Sequence, residues 1–245
     1  VVVYEKRDRI GGEMVSASIP DFKWDIKRLL GYYQREVERM ELDVRTGTEV
    51  TLELLKEESP DAVVMATGGE AIIPDVPGIE GSAVTTAIDA LVRWDELDIG
   101  GRVVVLGAGL VGYEMAWFAA QEGRSVVMVS RRRDKDIFKL DEHGTNLALL
   151  IKGVRDAGVE VVGNRQLQRV EEGGVILLDG DGREEWRAMD GLIVSRGYKP
   201  RRELAQRIEA AGLGCEVYSV GDCLEVRNFF EAINEGAHVV REKLA

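Results

Sequence analysis

Gly107, Gly109 and Gly112 stand in a Gly-x-Gly-x-x-Gly spacing directly after the apolar run Arg102-Val103-Val104-Val105-Leu106 and directly before Tyr113 to Glu122, which reads as a helix. A strand, a tight turn and a helix opening in that order make an anion site. The first glycine permits the turn, the second lets backbone N–H groups reach a diphosphate, and the third lets helix and strand pack closely. Leu110 and Val111 lie where the helix begins, with its positive end toward the charge. A turn that serves packing alone is the plainer reading of the same glycines. At the end of the next strand, Ser125 to Val129, the chain offers Ser130-Arg131-Arg132-Arg133 and no acid before Asp134. An acid there would accept from the free ribose hydroxyls of NADH, whereas a hydroxyl followed by guanidinium groups suits the 2'-phosphate of NADPH. NADPH is therefore favoured over NADH, with a solvated basic loop as the alternative.

Gly221-Asp222 closes the apolar run Val217-Tyr218-Ser219-Val220 ahead of a helix from Phe229 to Leu244. Its carboxylate could bond a polyol, and the helix N-terminus could face an electron-rich ring edge; a plain turn is the alternative. Val1-Val2-Val3-Tyr4-Glu5 reads as a buried parallel strand ending in an acid. An acid at a second strand's end follows a phosphate loop by about 20 residues, so the chain is expected to lack a first strand, a phosphate loop and a first helix. An edge strand ending in a solvated Glu is the alternative. An apolar strand delivered into a glycine turn recurs at Gly68, Gly107, Gly197 and Gly221.

Other chemistries find little support. Cys215 and Cys223, the only cysteines, cannot make a disulfide framework, a four-thiolate metal site or an iron-sulfur cluster, and Cys223 reads as a buried structural thiol. A reducing cytoplasm fits best. His143 and His238 have no ligand-spaced partners and read as surface or packing residues. Glu171-Glu172 and Glu184-Glu185 read as solvated turns. No metal constellation or catalytic side chain stands out. The formal charge of -12, from 32 Lys+Arg against 44 Asp+Glu, repels nucleic acid and anionic lipid. No apolar run approaches the length of a membrane helix.

The elements that must position these residues alternate. Phe22 to Met40 reads as an amphipathic helix with Ile26, Leu29, Leu30, Tyr33 and Val37 on one face. Val44 to Val50 reads as a strand, Leu52 to Lys56 as a helical turn, Asp61 to Gly69 as a buried strand running into a turn, and Thr86 to Trp94 as a short helix. After Gly112, a helix, the strand Ser125 to Val129, a helix over Asn146 to Ala157 and the strand Val159 to Val162 complete a βαβαβ pattern. Gln166 to Arg187 reads as an antiparallel meander turning at Gly173-Gly174 and Asp179 to Gly182. Gly191 to Gly197 is a strand and Glu203 to Ala211 a helix. The fold class is α/β: two interleaved Rossmann-like parallel-sheet domains with short antiparallel meanders. The breaks are placed to give 1–98, 99–189 and 190–245.

Tyr4-Glu5-Lys6, Arg9-Ile10-Gly11-Gly12, Ala66-Thr67-Gly68, the Gly107 to Gly112 loop and Gly221-Asp222-Cys223 together resemble the pyridine-nucleotide-disulfide oxidoreductase superfamily. More narrowly, Tyr4 to Ser16 with Pro20 to Leu30 resembles the C-terminal half of the 2,4-dienoyl-CoA reductase and trimethylamine dehydrogenase family of NADH:flavin oxidoreductases. The resemblance implies an FAD domain split around an inserted NAD(P)H domain, with NADPH passing a hydride to FAD. It implies that Glu5 binds the adenosine ribose of FAD, that Lys6, Gly11 and Gly12 line the cofactor, and that Val50 offers backbone to the adenine. Ala66, Thr67 and Gly68 would lie at the domain crossover, Asp222 would hold the ribityl or diphosphate region, and Ala232 and Ile233 would approach the isoalloxazine. Gly107, Gly109, Leu110 and Val111 would cradle the NADPH diphosphate. FMN and an iron-sulfur cluster are implied only on an N-terminal flavin barrel of the same polypeptide, the expected partner, and a homo-oligomer is a further expectation. Glu13 stands where relatives often have Gln. The alternative is a non-catalytic nucleotide-binding module of an amine-dehydrogenase-like enzyme.

Overall fold

The computed structural model describes residues 1–133 and 145–244, except the side chains of Thr145 and Asn146; the expectations for Asp134 and His143 lie outside the described residues. The chain opens with β1 (Val2–Tyr4), α1 (Glu13–Ala17), α2 (Trp24–Arg39), β2 (Asp43–Arg45), α3 (Leu52–Glu58), β3 (Ala62–Met65) and β4 (Gly69–Ala71). It continues with β5 (Val84–Thr86), α4 (Ala87–Val92), β6 (Arg102–Leu106), α5 (Leu110–Gln121), β7 (Ser125–Val129), α6 (Thr145–Asp156) and β8 (Glu160–Val162). Then come β9 (Gln166–Glu171), β10 (Gly174–Leu178), β11 (Glu184–Ala188), β12 (Gly191–Val194), β13 (Tyr198–Pro200), α7 (Glu203–Ala211), β14 (Glu216–Ser219) and α8 (Phe229–Lys243).

Two compact units form, one from residues 1–70 with 198–245 and one from 71–197. These divisions differ from the expected breaks after 98 and 189, and the reason is strand pairing. Every residue of β12 is buried, so the strand needs a neighbour on each side; it finds β6 on one edge and β5 on the other. Both β5 and β12 therefore belong with the nucleotide-type sheet.

The second unit is built on a parallel sheet in the order β5-β12-β6-β7-β8. Residues Val103 to Leu106 of β6 are all buried, as a β-branched run suits a central parallel strand. Helix α5 buries Gly112, Tyr113, Met115, Ala116, Phe118 and Ala119, which leaves it little polar face. Strands β9, β10 and β11 form the expected antiparallel meander, and Val175 and Leu177 of β10 join Val104, Leu106, Leu192 and Val194 in one apolar core.

The first unit pairs β1 with β2 and β3 with β14, both parallel, and β4 with β13. Its core gathers Leu55, Met65, Ala205, Ile208 and Cys223. Helix α2 turns its expected face inward: Leu30 is buried, and Ile26, Leu29, Tyr33 and Val37 are half-buried. The strand expected over Val44 to Val50 stops at Arg45, because the chain turns at Gly47 and Thr48, whose N–H groups donate to the Arg7 and Glu5 carbonyls at 2.7 and 3.0 Å.

Glu184 and Glu185 also depart from expectation. The turn is complete at Gly182, held by the Asp179 carboxylate, so both acids fall on β11. Glu184 pairs with Arg169 at 3.0 Å and Glu185 with Arg165 at 2.8 Å.

Candidate functional site

Within the second unit the glycine loop is built so that two of its glycines are structurally required and one is left open. Gly107 has φ 122°, a conformation few other residues tolerate, and a Cβ there would sit 1.9 Å from the Ser195 carbonyl oxygen. A Cβ on Gly112 would lie 2.0 Å from the Gly107 oxygen, so helix α5 rests directly on the loop. Gly109 caps α5, and a Cβ on it would meet nothing within 4 Å. The backbone at Gly109, Leu110 and Val111 is therefore reachable at the positive end of a 12-residue helix.

Ser130, Arg131 and Arg132 follow β7, the neighbour of β6, and so stand beside this loop. Ser130 is buried, only 6% exposed, and its Oγ accepts from the Arg132 N–H at 3.1 Å, so the hydroxyl shapes the turn. The Arg132 guanidinium lies 3.5 Å from the Ala108 carbonyl, against the loop itself. Arg131 is exposed. On the other side of β6, Ser195 and Arg196 follow β12, with Gly197 next in the chain. Burial, and then the like charge of Arg131, holds the Arg196 guanidinium below its ordinary range.

In the first unit the residues near β1 gather around Arg7. Its N–H donates to Glu5 Oε1 at 2.8 Å, and its guanidinium reaches the Gly12 carbonyl at 3.1 Å and Glu13 Oε1 at 2.9 Å. This ties Glu5 to Gly12, and Gly11 packs so closely on α2 that a Cβ would lie 2.5 Å from Leu30 Cδ1. Lys6 donates to Glu49 at 2.8 Å, next to Val50, whose side chain packs on the core. Ala66, Thr67 and Gly68 follow β3; Thr67 Oγ1 donates to the Arg201 carbonyl at 3.1 Å, and the Gly68 carbonyl accepts from the Arg201 N–H at 3.1 Å.

Gly221 and Asp222 form a short 3₁₀ turn after β14. Gly221 sits against Ala232 of α8, with 3.1 Å between the alanine Cβ and the place a glycine Cβ would occupy. Its N–H donates to Glu235 Oε2 at 2.7 Å, while Asp222 Oδ1 accepts from the Arg227 N–H at 3.0 Å. Arg227 in turn pairs with Glu235 and holds that carboxylate below its usual range. Ile233, the next residue on α8, is exposed.

Sequence reasoning missed Arg196, Glu235 and Arg227. Arg196 acquires its place because β12 neighbours β6, a pairing no local pattern announces. Glu235 acquires its place from the register of α8, which only its Asn228 cap, accepting from the Glu231 N–H at 3.0 Å, foreshadows.

Residues 15–236 match the family described as pyridine nucleotide-disulphide oxidoreductase. The chain belongs to that family. Its relatives include an NADH oxidase of Thermoanaerobacter brockii, 27% identical over 98% of this chain and 36% of that protein. A bilirubin reductase of Mediterraneibacter gnavus is 30% identical over 96% of this chain and 36% of its own length. Among solved structures, a 2-naphthoyl-CoA reductase complex superposes with a TM-score of 0.86 at 26% identity, covering 96% of this chain and 35% of that one. A histamine dehydrogenase from Rhizobium sp. 4-9, at 17% identity and TM-score 0.79, covers 100% of this chain and 40% of that one and shares the fold. The chain thus spans about a third of the length of the curated relatives it matches. The resemblance seen in the sequence motifs is borne out, and membership makes this a chain of a flavin-dependent pyridine nucleotide oxidoreductase family.

The residues present fit those two groups unequally. Gly109 leaves open the approach a nicotinamide nucleotide's diphosphate needs, so the second unit fits NAD(P)H well. The first unit fits FAD through Glu5 and Asp222, each of which keeps a carboxylate oxygen without a protein donor among the described residues. The sequence contains no second Gly-x-Gly-x-x-Gly loop to hold the FAD diphosphate. Among the described residues no cluster of His, Cys, Asp or Glu is placed to hold a metal ion, and no helix is long and apolar enough to cross a membrane.

Proposed function

We propose that this chain is the electron-input part of a longer flavin-dependent reductase, taking NADPH on the second unit and FAD on the first. The observation that carries the reading is the open Gly109 at the start of α5 beside the exposed Arg131 after β7. When bound, NADPH supplies a hydride and FAD the ring that accepts it. The chain's own residues bind and orient. The N–H groups at the start of α5 hold the diphosphate, Arg131 takes the 2'-phosphate as a bidentate partner, and Arg132 braces the loop from the Ala108 side. On the first unit Glu5 accepts from ribose hydroxyls, and Asp222 holds the polyol while its other oxygen is fixed by the Arg227 N–H. The Glu235 carboxylate keeps the Gly221 turn in place beneath it. FMN and an iron-sulfur cluster would reside on the remainder of the polypeptide, in keeping with the 36% of the relatives that this chain spans. Reduction of an enoyl thioester or another activated alkene would take place there.

Calorimetric titration of the chain with NADPH, NADH and FAD, with an absorbance scan for bound flavin, tests the assignment. NADPH should bind more tightly than NADH. Binding of ADP alone, with neither nicotinamide nucleotide bound, would replace the electron-input reading with that of a non-catalytic nucleotide-binding module.

A further inference from the structure

The carboxyl ends of β12, β6 and β7 are joined into one edge. Ser195 N–H donates to the Leu106 carbonyl at 2.9 Å, and Gly107 N–H donates to the Val129 carbonyl at 2.8 Å. Arg196, Gly107 and Arg131 follow these strands in that order across the sheet. From β6 the chain proceeds through β7 to β8 on one side, while β12 and β5 lie on the other. The edge is therefore the sheet's topological switch point, the place where open α/β sheets bind ligands.

Two arginines follow the strands on either side of β6 there, and no acid pairs with either among the described residues. Arg196 is half-buried and Arg131 exposed, and among the described residues neither guanidinium donates to a carboxylate or carbonyl, although Arg45, Arg102, Arg165, Arg169, Arg187 and Arg227 all pair with acids. The protein has 44 Asp+Glu for 32 Lys+Arg, so acids are not scarce. A half-buried guanidinium that faces a like charge is unfavourable until an anion arrives. Arg196 follows β12 and Arg131 follows β7, the two neighbours of β6, so a ligand laid across the glycine loop lies between the two residues.

We propose that Arg196 is a binding residue for the diphosphate of the dinucleotide, acting from the side of the glycine loop opposite Arg131. The two guanidinium groups then divide the ligand's charge: Arg131 takes the 2'-phosphate and Arg196 the diphosphate. This assignment rests on the reading of the second unit as an NADPH site.

Two fragments of the ligand separate the roles. ADP carries a diphosphate and no 2'-phosphate, and 2'-AMP carries the 2'-phosphate and no diphosphate. Their Kd values are measured by calorimetry on the full chain as wild type, Arg196→Gln, Arg196→Lys and Arg131→Ala, with thermal melts of each without ligand. Arg196→Gln should weaken ADP about tenfold or more and 2'-AMP less than about threefold, as expected for loss of one charge-assisted contact. Arg131→Ala should do the reverse, and Arg196→Lys, which keeps the charge but loses the planar fork, should fall between wild type and Arg196→Gln for ADP. The ligand-free melt of Arg196→Gln should be no lower than that of wild type; if that variant does not fold, the Arg196→Lys titration decides. Unchanged ADP binding in a folded Arg196 variant, or equal loss of both fragments, overturns the role of Arg196 while leaving the site intact. Failure of wild type to bind either fragment overturns the NADPH site itself.

Discussion

Replacing Gly109 with alanine should weaken nucleotide binding and leave the fold in place. Gly109 has φ -90° and ψ -178°, extended backbone that alanine adopts freely, and its Cβ would enter open space. Alanine is a poorer helix cap than glycine by about 0.5–1 kcal/mol, while a less flexible unfolded chain returns about 0.4–1 kcal/mol. The net change lies within about 0.5 kcal/mol, a shift of about 1–2 °C in Tm for a chain of this size. The same methyl group occupies the approach to the first N–H groups of α5. Losing one charge-assisted bond of about 1.5–3 kcal/mol raises Kd for NADPH by about 10- to 100-fold. Gly112→Ala is the counterpart. Its Cβ would stand 2.0 Å from the Gly107 oxygen and 3.0 Å from the Gly107 carbonyl carbon, backbone atoms that no rotamer change can move. The helix gains about 1 kcal/mol of propensity, but overpacking of about 1–3 kcal/mol acts at its upper end here, so Tm should fall by several degrees. Scanning fluorimetry and calorimetry on both variants give the answer. A Gly109→Ala protein that binds NADPH like wild type would refute the open-approach argument, and a Gly112→Ala protein that melts like wild type would refute the packing one.

Arg131→Ala should raise Kd for NADPH about tenfold or more and that for NADH less than about threefold; equal losses by calorimetry would remove the 2'-phosphate from the argument. Asp190 supplies a pH dependence. Its carboxylate accepts from the Arg102 guanidinium at 2.5 Å and from the Arg102 and Gly101 N–H groups at 2.8 and 3.0 Å, contacts that hold it down to about 2. Because the pKa is depressed on folding, the stabilisation is complete above the unfolded value of about 4 and is lost as pH falls toward 2. Asp190→Asn should therefore lower the urea midpoint at pH 7, with the gap to wild type closing between about pH 4 and 2; a constant gap across that range would rule out this linkage.

How much of this was legible depended on how local each signal is. Strands β6 and β7 run over the residues expected of them, because a central parallel strand writes itself as an unbroken apolar run. Helix α7 and the meander turns at Gly173 and Asp179 were equally plain, since turn chemistry acts over a few residues. Strands β4 and β13 were missed: each has three residues, and a polar pair such as Glu70 and Lys199, 2.6 Å apart, becomes meaningful only once the two distant segments meet. The unit boundaries failed for a related reason. Gly191 to Val194 reads as a buried strand whichever sheet receives it, and only its pairing with β6 and β5 settles the matter. At the candidate site the glycine spacing and the Ser130 to Arg132 run were visible, whereas Arg196 and Glu235 take their places from strand order and helix register.

The two cysteines give the first unit an internal gauge of its own opening. Cys223 is 2% exposed, its Sγ 2.9 Å from the Met65 carbonyl and 3.1 Å from that of Val220, whereas Cys215 is only partly covered. Cys215, at the margin of the core, should therefore react with a thiol-modifying reagent sooner than Cys223, which becomes available only when the core around Met65 comes apart. The ratio of the two labelling rates therefore measures how often that core opens. Residues 71–197 contain no thiol, so the signal reports on one half of the molecule while the other stays silent.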